Sequence, residues 1–117
     1  MEQKTVQIRV TKHDLNRAIK RELSTENETV CRSCLVAQAI NRVSGSTHVF
    51  ASVGYTMFDF VSTEPPFSFC TGKMNEKALP LIRMFDNRQW EELRKVLPTT
   101  IEITYPILPQ TEDLFAK

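Results

Sequence analysis

Cysteine, glycine and histidine are scarce in this chain: it has 3 Cys, 3 Gly and 2 His among 117 residues. An odd number of thiols cannot all pair within one chain, and three thiols need no disulfide framework. The three glycines, Gly45, Gly54 and Gly72, are scattered. No GxGxxG or Walker loop can be built from them, so no phosphate-cradling glycine loop is signalled. Neither His13 nor His48 accompanies a recognisable Ser or Cys nucleophile motif. Each reads as a solvated or hydrogen-bonded imidazole. An excess of charge of one sign is also missing, since 15 Lys and Arg against 14 Asp and Glu leave +1. This balance argues against a strongly acidic nucleic-acid mimic and a strongly basic nucleic-acid coat. No apolar run approaches the ~18 residues that span a bilayer. Met1-Glu2-Gln3-Lys4 leads straight into a strand pattern, without the apolar region of a secretory signal. The expected compartment is the cytoplasm, or the host cytoplasm if a phage encodes the chain.

What is present suits a folded domain. Apolar residues make up 41% and charged residues 25%, as in ordinary globular proteins. The length fits one domain. Folding at this size buries roughly two thirds of the unfolded surface, enough for a core without staples.

Val6, Ile8 and Val10 alternate with Gln7 and Arg9, the period of a half-buried strand. Thr11 followed by Asp14 resembles a capping box with Asp in the Glu/Gln role. Leu15, Ala18, Ile19 and Leu23 recur at helical spacing, so residues 12–23 read as an amphipathic helix. A polar stretch, 24–29, precedes a second helix from Ser33 or Cys34 to Val43, apolar around most of its circumference and stopped by Gly45. Strand-like runs cover 47–53 and 56–62, with Gly54-Tyr55 as a tight turn. After Pro65-Pro66, residues 67–71 are either a strand or an ordered loop. Two short helices, 79–86 and 88–97, follow. Pro80 suits the first turn of the former. Asp86 or Asn87 caps the latter, which presents Trp90, Leu93 and Val96. Residues 99–105 alternate again, with Ile101, Ile103 and Tyr105 inward. This order predicts an α+β domain over 1–105, with a mostly antiparallel or mixed sheet and helices packed on one face. A proline-containing tail covers 106–117. The expected core includes Val6, Ile8, Leu15, Ile19, Val36, Ile40, Ile82, Phe85, Ile101 and Ile103.

Cys31-Arg32-Ser33-Cys34 is a CxxC, open to three readings: a zinc half-site, a redox pair, or small thiols near a helix start. A closed zinc site needs four ligands, and the other candidates (Cys70, His13, His48) are isolated in sequence. A thioredoxin-like pair needs a preceding strand, and a polar stretch stands there instead. The structural reading is preferred, and no cofactor or metal is expected. Asp59, set among Met57, Phe58, Phe60 and Val61, reads as the solvent side of an alternating strand. Lys12, His13, Asn16, Arg17 and Lys20 share the polar arc of the first helix. That arc is either an ordinary solvated face or a surface for an anion.

The start of the second helix carries the sharpest candidate. Its free N–H groups and positive dipole end favour an anion. Arg32 and Ser33 stand there, beside Cys34. Arg17 and Lys20 can approach if the two helices pack side by side. The candidate ligand-binding set is therefore Arg17, Lys20, Arg32, Ser33 and Cys34, with no catalytic residue.

The segment Ser33-Cys34-Leu35-Val36-Ala37-Gln38-Ala39-Ile40 resembles an uncharacterised family of small phage and bacterial proteins. That family opens with a strand and helix, then a Cys-Pro-aliphatic-Ala-x-Ala helix start. A Leu-Pro helix ending in Phe-Asp and a terminal strand come later. Leu79-Pro80 through Phe85-Asp86 and Ile101–Tyr105 would match those parts. Leu35 stands where the family has Pro, and the 88–97 helix is an insertion. The resemblance implies an α+β fold and a phage-like origin, without an assigned activity. The leading expectation is a non-enzymatic binding protein. It would blunt a host defence by sequestering a small anionic, nucleotide-like signal or by occluding a host protein. The other expectations are a structural or adaptor module of a phage or plasmid complex, docking through Leu114-Phe115, and an enzyme whose site forms between chains through Cys34 or Asp59. Nucleic acid and membrane are not expected partners. A homo-oligomer, most simply a two-fold dimer, is expected.

Overall fold

A computed structural model of the chain describes residues 2–24, 35–44, 49–54, 56–62 and 69–107, with backbone alone at 24, 49–52, 60–62 and 69. Among the described residues, five strands and four helices follow one another as β1 (Gln3–Val10), α1 (Lys12–Ser24), α2 (Leu35–Ser44), β2 (Val49–Val53), β3 (Met57–Ser62), β4 (Phe69–Met74), α3 (Ala78–Asp86), α4 (Trp90–Val96) and β5 (Thr99–Pro106). The strands form one antiparallel sheet in the order β1-β5-β4-β3-β2. The expected α+β class is thus the observed one, and the sheet is antiparallel throughout its described pairs.

Two ribbons make up the sheet. The first and last strands pair over their full length, from Gln3↔Pro106 to Val10↔Thr99. β2, β3 and β4 form a meander. Its hairpin is closed by the Gly54 N–H donating to the Met57 carbonyl at 2.8 Å. Among the described residues the ribbons pair at Lys73↔Thr104 and Met74↔Ile103, and the Asn75 N–H donates to the Glu102 carbonyl at 2.9 Å just beyond them. Beside that junction Gly72 is required by close approach. A Cβ there would lie 2.8 Å from the Thr104 carbonyl oxygen and run into the Phe58 ring.

Strand alternation sorts the two faces. Ile8, Val10, Ile101, Ile103 and Tyr105 are buried, while Gln7, Arg9 and Thr100 are exposed. The helices cover the buried face. Their core contribution comes from Leu15 and Ala18 of α1, Leu35, Val36, Ala37, Ala39 and Ile40 of α2, and Leu81, Ile82 and Phe85 of α3. Of the ten expected core residues, eight are buried, and Val6 and Ile19 pack half-buried against the rest. The α2 helix touches α1, α3 and both edge strands, which explains why so much of its circumference is apolar. No helix among the described residues is long and apolar enough to cross a membrane.

Several local expectations need correction. Leu23 ends the expected apolar stripe of α1 but is 60% exposed, and Val96 of α4 is likewise exposed. The open segment 67–71 is a strand at its end, and β4 continues to Met74. Neither Asp86 nor Asn87 caps α4: its N-cap is Gln89, without a side-chain hydrogen bond. Asn87 and Arg88 instead finish α3. Their N–H groups donate to the Arg83 and Phe85 carbonyls, each at 3.0 Å, and the Gln89 N–H donates to Met84 at 2.9 Å. Arg88 takes the left-handed conformation, φ 56°, that often ends a helix. Its guanidinium lies 5.6 Å from the centre of the Trp90 ring.

Candidate functional site

The capping box read from sequence forms as expected. Thr11 donates its N–H and its hydroxyl to Asp14 Oδ2 at 2.9 and 3.0 Å, and the Asp14 N–H donates to Thr11 Oγ1 at 3.3 Å. The short Asp side chain also receives a partner from another helix. Arg42, in the last turn of α2, donates from Nε to Asp14 Oδ1 at 2.9 Å and from Nη2 to Oδ2 at 3.0 Å. Its Nη2 further donates to the Arg9 carbonyl of β1 at 2.7 Å. One guanidinium thereby joins α2, the start of α1 and the edge strand. The Asp14 side chain is 1% exposed, so its charge is stabilised by these donors rather than by water. The bond to Asp14 raises the Arg42 guanidinium above its ordinary value, against the opposing effect of burial.

This clamp sets the register of two helices running in opposite directions. Asp14 near the start of α1 meets Arg42 near the end of α2. One turn further along α1 come Arg17 and then Arg21, and one turn back along α2 comes Gln38. Arg17, Lys20, Arg21 and Gln38 line an open groove of about 360 Å³. The three cations are exposed and Gln38 is half-buried. Residues three and four apart on a helix are surface neighbours, so Arg17, Lys20 and Arg21 place three positive charges on one patch. None of these four lining residues is acidic.

Arg17 and Lys20 share a groove with Gln38 of the neighbouring α2 helix; their expected approach to Arg32, Ser33 and Cys34 falls outside the described residues. Cys31 and His48 lie outside them too. The sequence reading missed Arg21 and Gln38. Arg21 stands one turn after Arg17, a signal that was available; the part of Gln38 depends on how α2 lies against α1 and has no local mark.

A second polar cluster lies in the sheet. Thr71 donates its hydroxyl to Asp59 Oδ1 across the β3–β4 pair. Asp59 is half-buried and lies on the face of β3 opposite the buried Phe58. Cys70 on β4 is a free, buried thiol. Burial raises its pKa, and Asp59 adds to the rise. Burial likewise raises the Tyr105 phenol, with a further contribution from Cys70. These shifts keep both groups protonated, the opposite of what an activated thiolate requires. Among the described residues no cluster of three His, Cys, Asp or Glu could hold a metal ion.

Compared with protein-family models, curated proteins and solved structures, the chain matches none.

Proposed function

We propose that this is a non-enzymatic binding protein whose ligand is a small anion held in the groove between α1 and α2. The observation that supports the reading is the convergence of Arg17, Lys20, Arg21 and Gln38 on one groove of about 360 Å³. That volume lies within the range of small-molecule sites. Neither Arg17 nor Lys20 makes an ion pair or side-chain hydrogen bond among the described residues. Their charges are thus available to an incoming anion, and charge-assisted bonds are roughly twice as strong as neutral ones. Arg32, Ser33 and Cys34, next to Leu35 in the chain, belong to the same proposal as further donors. The resemblance to small phage proteins supplies a biological setting: sequestration of an anionic host signal in the cytoplasm.

Calorimetry against a panel of inorganic phosphate, pyrophosphate, nucleotides and cyclic nucleotides tests the reading. At least one member should bind, and the Arg17→Glu/Lys20→Glu double variant should lose that binding while keeping its melting temperature, since exposed charges contribute little to stability. Wild-type affinity in the double variant, or no binding by any member tighter than about 1 mM, would overturn it.

A further inference from the structure

We propose that two copies of this chain pair through the outer edge of β1, antiparallel and centred on Thr5, so that their sheets become one. β1 stands first in the strand order, with β5 on its inner side. In an antiparallel ladder, opposed residues alternate between pairs that exchange main-chain hydrogen bonds and pairs that do not. Contacts on both strands fix which pairs are which. The Arg9 carbonyl accepts from Arg42 Nη2 at 2.7 Å, so it faces away from β5. Glu102, opposite Gln7, turns its main chain to Asn75: its carbonyl accepts the Asn75 N–H at 2.9 Å, and its N–H donates to Asn75 Oδ1 at 3.2 Å. Pro106, opposite Gln3, has no N–H to donate. In the alternate phase, the Ile107 N–H donates to the Glu2 carbonyl at 2.9 Å. Lys4, Val6, Ile8 and Val10 therefore bond to β5, while Gln3, Thr5 and Gln7 direct both main-chain groups outward. The side chains of Gln3, Thr5 and Gln7 are exposed.

An outward row of N–H and C=O groups is a template for another strand, and this row is its own complement. Arg42 holds the Arg9 carbonyl and closes the edge at that end. What is left runs Gln3, Thr5, Gln7, the same in either direction. A two-fold axis beside Thr5 sets Gln3 against Gln7 of the second copy and Thr5 against its own equivalent, the isologous contact of a symmetric dimer. About six main-chain hydrogen bonds form, and the glutamine amides meet on the exposed face of the sheet. Setting Thr5 against Gln7 instead would bring Gln3 opposite Arg9, whose carbonyl is already taken. The clamp between α1, α2 and β1 thus also selects the register of the pair.

Sedimentation of the full chain should show monomer passing into dimer in the micromolar range, as suits a small interface. Thr5→Pro deletes an outward N–H, a change edge strands tolerate; it should stay folded by circular dichroism and weaken the dimer at least about tenfold. Thr5→Lys and Thr5→Glu each set like charges directly opposite across the axis. Each should be monomeric alone, and an equimolar mixture should recover the dimer. This pair of variants decides the matter even if Thr5→Pro does not fold. On dilution, amide exchange should speed up at Thr5 and Gln7 and stay slow at Val6 and Ile8, whose N–H groups bond to β5. A monomer at every concentration, or a dimer that the Lys and Glu variants form alone as readily as the wild type, refutes the pairing.

Discussion

Replacing Arg42 by Met keeps an unbranched stem of similar length and deletes the guanidinium that joins α1, α2 and β1. Asp14 would then keep only its two bonds from Thr11 and lose both bonds from Arg42. Removing one member of a buried ion pair costs about 3–5 kcal/mol, because the remaining charge is left uncompensated. Here the lower end applies: the Arg42 side chain is 35% exposed, so water already competes for it, and Thr11 still donates to the carboxylate. A loss of about 3 kcal/mol is expected. For a domain of 117 residues this lowers the melting temperature by about 12 °C, taking ~2.1 cal/mol/K of unfolding entropy per residue. Urea unfolding should show the midpoint falling with an unchanged slope, since no surface burial is altered. Asp14→Ala should behave similarly, and the Asp14→Ala/Arg42→Met double variant should lose much less than the sum of the two. Additive single losses, or an Arg42→Met cost under about 1 kcal/mol, would show that the contact is an ordinary surface pair. A ligand panel run on the same protein adds a second readout. The clamp sets where Gln38 lies opposite Arg17, so Arg42→Met should weaken anion binding although residue 42 does not line the groove.

Gly72→Ala should cost about 1–3 kcal/mol by overpacking, because its Cβ would press on both the Phe58 ring and the Thr104 carbonyl; a neutral result in urea unfolding would mean that the two ribbons can separate freely. Both Cys70 and Tyr105 have pKa values raised on folding, above ordinary values of 9.0 and 10.0. The stability this contributes is complete at neutral pH, declines once the unfolded thiol begins to ionise near pH 9 and is lost as pH rises through the folded values. Chemical denaturation across pH 7–11 should show that decline, and Cys70→Ala should make it shallower; an alkaline limb unaffected by the variant refutes the assignment. In the native protein at neutral pH, Cys70 should also resist alkylation, as peptide mass mapping would reveal. Arg17→Gln should leave stability unchanged or raise it by up to about 0.5 kcal/mol, since it relieves the like-charge neighbour Lys20 three residues away on α1 with little change in helix propensity. A loss above that size would give Arg17 a structural task and weaken its assignment to a ligand.

Much of the architecture is legible in the chain because its periods are clean. Ile8 and Val10, Ile101 and Ile103, and the apolar wrap of α2 all point where the alternation places them. The Thr11–Asp14 box is legible because it spans three residues. Its arginine partner is not, because 28 residues separate Asp14 from Arg42 and no local pattern announces the meeting. Leu23 and Val96 show a different limit. Helical spacing says which side a residue occupies, not how far the covering elements extend, and both sit at or near the last turn of their helices. The extent of β4 was hidden by Gly72. The buried positions of that strand read Cys70, Gly72, Met74, and a glycine contributes no apolar mark to the alternation even when its backbone is central to packing.

The same limit divides the polar residues of α1. Asp14 and Arg17 look alike in sequence, as charged members of an amphipathic helix, yet the fold treats them oppositely. Asp14 is withdrawn from water and held by four donated hydrogen bonds; Arg17 and Lys20 remain exposed beside a third cation. Arg17 and Lys20, three residues apart on α1, are like charges whose proximity slightly opposes folding. An anion that bridges the patch to Gln38 would remove the repulsion and strengthen the α1–α2 contact together. It would therefore stabilise the native chain in proportion to the logarithm of its concentration above Kd. Clamp and groove lie one turn apart on the same two helices, so an anion bound there would be coupled to the clamp reciprocally: loosening the clamp would weaken the ligand, and the ligand would offset a weakened clamp.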